Sequence, residues 1–307
     1  MKVLLTGSTG MVGKNILEHN SASKYNILTP TSSDLNLLDK DEIEKFLLIN
    51  MPDCIIHAAG LVGGIHANIS RPFDFLEKNL QMGLNLVTVA KKLGIKKVLN
   101  LGSSCMYPKN FEEAIPEKAL LTGELEETNE GYAIAKIAVA KACEYISREN
   151  SNYFYKTIIP CNLYGKYDKF DDNSSHMIPA VIKKIHHAKI NNVPEIEIWG
   201  DGNSRREFMY AEDLADLVFY VIPKIELIPN MVNAGLGYDY SINDYYKIIA
   251  EEIGYTGSFS HDLTKPTGMK RKLVDISLLN KIGWSSHFEL RDGIRKTYNY
   301  YLENQNK

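Results

Sequence analysis

Cysteines are few in this sequence, and none stands near another: Cys54, Cys105, Cys143 and Cys161 form no Cys-x-x-Cys pair. That spacing argues against a disulfide framework and a zinc site, and it suits a reducing cytoplasm. Charge of one sign is not in excess. The 35 Lys and Arg against 38 Asp and Glu leave a net charge of −3. This removes any general electrostatic reason to bind nucleic acid or an anionic membrane. No apolar run is long enough to span a bilayer, and no basic segment followed by an apolar one opens the chain, so neither a membrane anchor nor a signal peptide is expected. Repeats and low-complexity tracts are also lacking. What remains is the balance of an ordinary globular protein, 44% hydrophobic and 24% charged over 307 residues. A chain of that length can bury a large core in one large domain or two smaller ones.

The first informative stretch is the apolar run Lys2–Thr6, the pattern of a buried parallel strand, followed by Gly7-Ser-Thr-Gly10-Met-Val-Gly13. Glycines at this spacing permit a tight turn, let the backbone approach a pyrophosphate and let the next helix pack on its strand. The helix N-terminus then offers free N–H groups to the phosphates. A second strand over Tyr25–Thr29 ends in Pro30-Thr31-Ser32-Ser33, with no acid at the position that would accept from the ribose of NAD and repel the 2′-phosphate of NADP. Asp34 comes several residues late, and the hydroxyls can donate to a phosphate, so the reading leans to NADP(H).

Strands and helices alternate from there. A helix is predicted over 41–50, a strand over 54–57, a helix over 72–93, a strand over 97–101, a helix over 131–148 and a strand over 154–161. That order calls for a doubly wound parallel sheet of Rossmann type, with helices on both faces. Ser103 and Cys105 lie just past the C-terminal end of the fourth strand, where open α/β sheets bind ligands. Tyr132 and Lys136 are four apart on a helix and share one face. The ammonium should lower the tyrosine's pKa and make the pair a proton donor or acceptor beside a carbonyl or an alcohol. His57 reads as a satisfied histidine at a strand end.

After residue 165 the rhythm changes to a smaller, mixed α/β region. It is predicted to contain a helix over 176–188, a strand over 196–199, a helix over 211–221, one more strand over 232–234, and a helix opened by a Ser241/Asp244 capping box. The division expected is a cofactor domain over 1–165, with contributions from about 205–235, and a substrate region over 166–307, the two interleaved.

These motifs, in this order, resemble the extended short-chain dehydrogenase/reductases. The further stretches Val62-Gly-Gly-Ile65, Gly102-Ser-Ser-Cys-Met-Tyr-Pro108, Asn162-Leu-Tyr-Gly165, Ser175-His176, Arg206-Glu-Phe208 and Arg271-Lys-Leu273 resemble the branch that acts on GDP-4-keto-6-deoxy sugars. The resemblance implies an NADPH-dependent reduction at C4, with prior 3,5-epimerisation, in nucleotide-sugar biosynthesis for capsule or lipopolysaccharide. Ser103 would bond the keto oxygen, Tyr132 would protonate it, and Lys136 would hold the nicotinamide ribose. Cys105 and His176 would be the acid/base pair of the epimerisation. The cofactor would run over Gly7, Ser8, Thr9, Gly10, Met11, Val12 and Gly13, past Ser32 and Ser33, and along Leu101, Gly102, Lys136, Pro160, Asn162, Leu163 and His176. Lys184, Trp199, Arg206, Thr267 and Lys272 would line the GDP-sugar site, while Arg205 and Lys270 beside them read as solvated charges.

Where the family carries basic residues for the 2′-phosphate this chain has Thr9 and Ser32, and where it often has proline before the tyrosine this chain has Gly131. Members of the family often dimerise through their two long helices, so a homodimer is expected. Three alternatives stand beside this reading: C4 reduction alone on a related sugar such as a GDP-4-keto-6-deoxy-heptose, a sugar-nucleotide epimerase or dehydratase that retains NAD, and a non-catalytic nucleotide sensor.

Overall fold

The computed structural model describes residues 1–171, 175–265 and 269–304. In chain order the elements of the first half are β1 Lys2–Thr6, α1 Met11–Glu18, β2 Asn26–Leu28, α2 Lys40–Asn50, β3 Cys54–His57, α3 Ile65–Ser70, α4 Pro72–Lys92, β4 Lys97–Leu101, α5 Glu130–Glu149 and β5 Phe154–Pro160. The second half holds β6 Asn162–Tyr164, α6 Met177–Ile190, β7 Glu195–Trp199, β8 Arg205–Arg206, β9 Phe208–Tyr210, α7 Ala211–Val221, β10 Met231–Ala234, β11 Tyr240–Ser241, α8 Ile242–Ile253, β12 Ser258–Asp262, β13 Arg271–Lys272, α9 Ser277–Lys281 and α10 Leu290–Asn304.

Six strands form one parallel sheet in the order β10-β5-β4-β3-β1-β2. This is the doubly wound arrangement that the alternation predicts. The strand order reverses between β1 and β3, so a crevice opens at the C-terminal ends of β1 and β3, with the end of β4 beside it. The central strands are mainly apolar because both faces of the sheet are covered. All four residues of β3 are buried, as are Val98, Leu99, Asn100 and Leu101 of β4. One core packs the sheet against α1, α7 and the C-terminal half of the chain, with Val3, Leu5, Ile56, Leu99, Ile158, Leu214 and Val218 at its heart. The other face meets α2, α4 and α5 through Leu4, Ile55, Val98, Leu86, Val87 and Ile146. Each such side chain contributes roughly 1.5–3 kcal/mol when fully buried.

A third core, centred on Ile178, Ile182, Ile185, Tyr245 and Ile249, belongs to the C-terminal region. There α8 begins with the Ser241/Asp244 capping box. Three small sheets accompany it: β11-β8-β13, β12-β7 and β6-β9. The strands β8, β11 and β13 have two residues each and carry no period for sequence reading to find. Among the described residues no helix is long and apolar enough to cross a membrane, and no cluster of His, Cys, Asp and Glu has a metal-binding arrangement.

Candidate active site

The turn after β1 is shaped by close backbone approach. Gly7 has φ +73°, and a Cβ there would lie 2.6 Å from the Ala59 nitrogen. A Cβ on Gly13 would lie 2.2 Å from the Gly7 carbonyl oxygen. Gly10 caps α1 with no side-chain hydrogen bond, so the first N–H groups of α1 stay open to a ligand. Its own Cβ would meet only the Gly7 oxygen at 3.4 Å, so the fold itself leaves room for a side chain there. The cradle fits a dinucleotide pyrophosphate. Around it Thr9 is exposed, Ser8 is buried against the Thr29 carbonyl, and Val12 packs into the core. Ser32 and Ser33 are exposed on the turn after β2. That turn is closed by Asp34, whose carboxylate reaches back to accept from the Thr31 N–H and hydroxyl at 2.9 and 2.7 Å.

The candidate catalytic residues come together at the end of β4. Ser103 caps a short 3-10 turn over Ser104–Met106, and its hydroxyl accepts from the Cys105 N–H at 3.4 Å. From α5, Lys136 donates to the Leu101 carbonyl at 3.0 Å while its ammonium sits 5.7 Å from the centre of the Tyr132 ring. Tyr132 stands edge-on against Phe75. Burial pushes Lys136 down to about 8, with Cys105 opposing.

One expectation is overturned here. Burial pushes the Tyr132 phenol up, with Cys105 adding to the effect, and Lys136 does not reverse it. Taking a phenolate out of water costs more than the neighbouring lysine returns. The Tyr132 phenol is therefore held protonated in the free protein. Burial also raises the Cys105 thiol, opposed by Lys272, Ser103 and Lys136.

Gly131 has a steric reason: a Cβ there would come 2.6 Å from the Pro72 carbonyl oxygen, where α5 begins against α4. His57 is buried, pairs through Nδ1 with the Thr6 hydroxyl at 2.9 Å, and is pushed down to about 3 by burial and Lys136. Asn79 on α4 holds the loop facing Lys136. Its amide accepts from the Leu61 N–H at 2.8 Å and donates to the Leu61 carbonyl at 3.1 Å. Past β5 and Pro160, Asn162 donates to the Glu207 carbonyl at 3.0 Å, and Leu163 packs into the main core.

His176 caps α6, and its Nδ1 lies 3.3 Å from Asp168. The Asp168 side chain is only 4% exposed, and its second oxygen is buried without a partner among the described residues. That carboxylate raises the His176 pKa. Sequence reading missed Asp168, which is one of several aspartates in a polar loop. The groups whose charges act on Cys105 are Lys272 and Lys136, and those acting on His176 are Asp168 and Lys169. The structure thus gathers Ser103, Cys105, Tyr132, Lys136 and Lys272, with His176 on its own support.

Arg206 and Lys272 are register neighbours on β8 and β13. Each is depressed by burial, and Lys272 feels Arg206 as a like charge. No carboxylate hydrogen-bonds either among the described residues. A like-charged pair of this kind is unfavourable unless an anion joins it. Lys184 donates to the Glu197 carbonyl on β7 at 2.5 Å, and Trp199, 53% exposed, lies under the Lys265 ammonium. Arg205 is exposed, as expected of a solvated charge, and is also bound to Asp239 at 2.6 Å. Thr267 lies outside the described residues.

Residues 3–235 match the family described as NAD dependent epimerase/dehydratase. GDP-L-colitose synthase of Yersinia pseudotuberculosis is 59% identical over 306 residues, covering 100% of this chain and 99% of that protein. GDP-L-fucose synthase of Azorhizobium caulinodans is 46% identical over 301 residues, covering 98% and 96%. Among solved structures, a GDP-mannoheptose C4 reductase of Campylobacter jejuni with NADP bound superposes with a TM-score of 0.88 at 30% identity, covering 98% of each chain.

Proposed function

This chain belongs to the NAD dependent epimerase/dehydratase family, and from that premise we propose that it reduces C4 of a GDP-linked 4-keto-6-deoxy sugar with NADPH, after epimerisation beside the carbonyl. The observation that carries the reading is the gathering of Ser103, Tyr132 and Lys136 at the end of β4, with Cys105 among them and Lys272 linking them to Arg206. Residues 1–165, with β10 and α7, are assigned to the cofactor and the remainder to the sugar nucleotide.

Bound over the Gly7–Gly13 cradle, NADPH supplies the hydride for C4. Ser103 holds the ketone oxygen, and Tyr132 donates its proton to that oxygen as the carbonyl becomes an alcohol. The high pKa of the phenol suits this direction, because the acceptor is a developing alkoxide and more basic still. Lys136, anchored on the Leu101 carbonyl, stands beside Tyr132 to stabilise the phenolate left behind, which regains a proton from water. Before reduction, protons on carbons next to the ketone are acidic because the enolate charge rests on the oxygen that Ser103 and Tyr132 hold. Cys105 and His176 remove and return such a proton. With Nδ1 on Asp168, His176 keeps Nε2 for the substrate. Arg206 and Lys272 receive the diphosphate, and Lys184 and Trp199 flank the rest of the nucleotide.

Incubation with ketosugar and NADPH in deuterated water tests the reading. Reduced product carrying deuterium next to C4 is expected. Cys105→Ser and His176→Asn should lose the label while still reducing an already epimerised ketone. Reduction with no label in the parent removes the epimerase half, and no NADPH turnover with any GDP-ketosugar removes the whole.

A second reading concerns the sugar, and the higher identity to the colitose synthase, 59% against 46% for the fucose synthase, favours it. Colitose is 3-deoxyfucose, so a precursor of that kind has no 3-hydroxyl centre to invert. Comparing kcat/KM for the 3-deoxy and 3-hydroxy ketosugars decides between them. The apolar stripe Phe73, Leu76, Leu80 and Leu84 on α4, with Ile134 and Tyr145 on α5, is at least partly exposed. It supports a homodimer through these helices, which sedimentation tests.

A further inference from the structure

The geometry points to Asp239 as a positioning residue that holds the diphosphate-binding cations in place from behind, an inference that rests on the reading just given. In the β11-β8-β13 sheet, Arg205 pairs with Arg271 and Arg206 with Lys272. Successive side chains on a strand point to opposite faces. One cation pair therefore faces the substrate cleft and Cys105, and the other faces away. Two cations directly opposite on neighbouring strands repel, and the two pairs are handled differently.

On the rear face Asp239 lies between Arg205 and Arg271, with its side chain 1% exposed. One carboxylate oxygen accepts from Arg205 Nε at 2.6 Å and the other from Arg271 Nε at 2.6 Å. Arg205 Nη2 also donates to the Asp239 carbonyl at 2.6 Å. Asp239 directly precedes β11, whose Tyr240 and Ser241 pair with Arg206 and Arg205. One carboxylate therefore links all three strands.

Glu207, the next residue after β8, completes the support. It is fully buried and accepts from the Leu236, Gly237 and Val274 N–H groups at 2.5, 2.9 and 3.0 Å. It thus ties the loop before Asp239 and the segment after β13 to the same platform. On the front face no carboxylate hydrogen-bonds Arg206 or Lys272 among the described residues, and the charge of Glu126 acts on both only from a distance. The clamp offsets the repulsion within the rear pair and fixes the register, so that the front pair stays side by side and open to an anion. Its effect should fall on the sugar nucleotide and not on the cofactor, whose cradle lies on β1 and α1.

The test is Asp239→Asn, read by calorimetric titration with GDP and separately with NADP, and by steady-state kinetics. GDP binding should weaken about tenfold or more while NADP binding stays within about twofold. KM for the ketosugar should rise with kcat nearly unchanged. Should that variant fail to fold, Arg205→Met removes one arm of the clamp and should show the same split to a lesser degree, and Asp239→Glu should restore part of the binding. GDP affinity equal to the parent's, or parallel losses of GDP and NADP binding, overturns the inference. A parent that binds no GDP overturns the functional reading beneath it as well.

Discussion

Replacing Lys136 with methionine should stabilise the free protein and destroy its activity. Lys136 is 7% exposed, and burial pushes its ammonium from 10.5 down to about 8. Below that pH the folded chain carries a charge that the unfolded chain holds at lower cost. The difference corresponds to ~3 kcal/mol of destabilisation. Methionine keeps most of the stem and removes the charge, but it leaves the Leu101 carbonyl without its 3.0 Å donor. That loss costs about 1–3 kcal/mol. The balance is a gain between about 0 and 2 kcal/mol near neutral pH.

The sign can be checked by pH. The lysine's folded pKa is depressed, so between about 8 and 10.5 the unfolded chain binds the extra proton. Its penalty is full below that window and fades as pH rises through it. The stability advantage of Lys136→Met, measured by denaturant titration, should therefore shrink across the window. Turnover with NADPH should fall roughly 10²–10⁴-fold at every pH, the scale of a lost acid–base group. A variant destabilised by several kcal/mol at neutral pH, or an advantage independent of pH, would refute burial as the source of the lysine's lowered pKa. Parental turnover would refute its place in the active site.

Gly131→Ala should cost about 1–3 kcal/mol, because its methyl group meets the Pro72 carbonyl oxygen at 2.6 Å. A melting temperature equal to the parent's would show that α4 and α5 separate there without penalty. His57, held down to about 3, should show no imidazole titration by NMR between about pH 5 and 8. Its contribution to stability is present above 6.5 and is lost as pH falls toward 3, because the unfolded chain takes the proton first. His57→Gln should accordingly lose less stability on acidification than the parent does. Asp168→Asn removes the group that raises His176. The pH midpoint of deuterium incorporation should then move to lower pH, with the C4 reduction of an epimerised ketone spared, and an unmoved midpoint would exclude Asp168 as the support of His176.

The parts of this chain that could be read from sequence are those whose physics is local. The central strands of the large sheet are buried on both faces, so β3 and β4 are legible as short, mainly apolar runs. Gly7 and Gly13 are legible because a turn six residues long brings their own backbones together. Tyr132 and Lys136 need only one helical turn to meet. What local pattern could not reveal is the environment that decides their chemistry. The lysine's proximity was visible, and the burial that outweighs it was not. The substrate side is harder still. Its cations sit on two-residue strands, and the pairing of Arg206 with Lys272 joins distant segments. The same pairing makes Arg205, an exposed charge, one arm of a clamp on the buried Asp239. Asp168 and Asp239 carry no periodic signal, and each matters only through a partner that the fold delivers. The reaction type is therefore carried by short-range motifs, while the identity of the sugar is carried by long-range assembly. Gly131 illustrates the boundary. It stands next to Tyr132 in sequence, yet its reason lies at Pro72 on another helix.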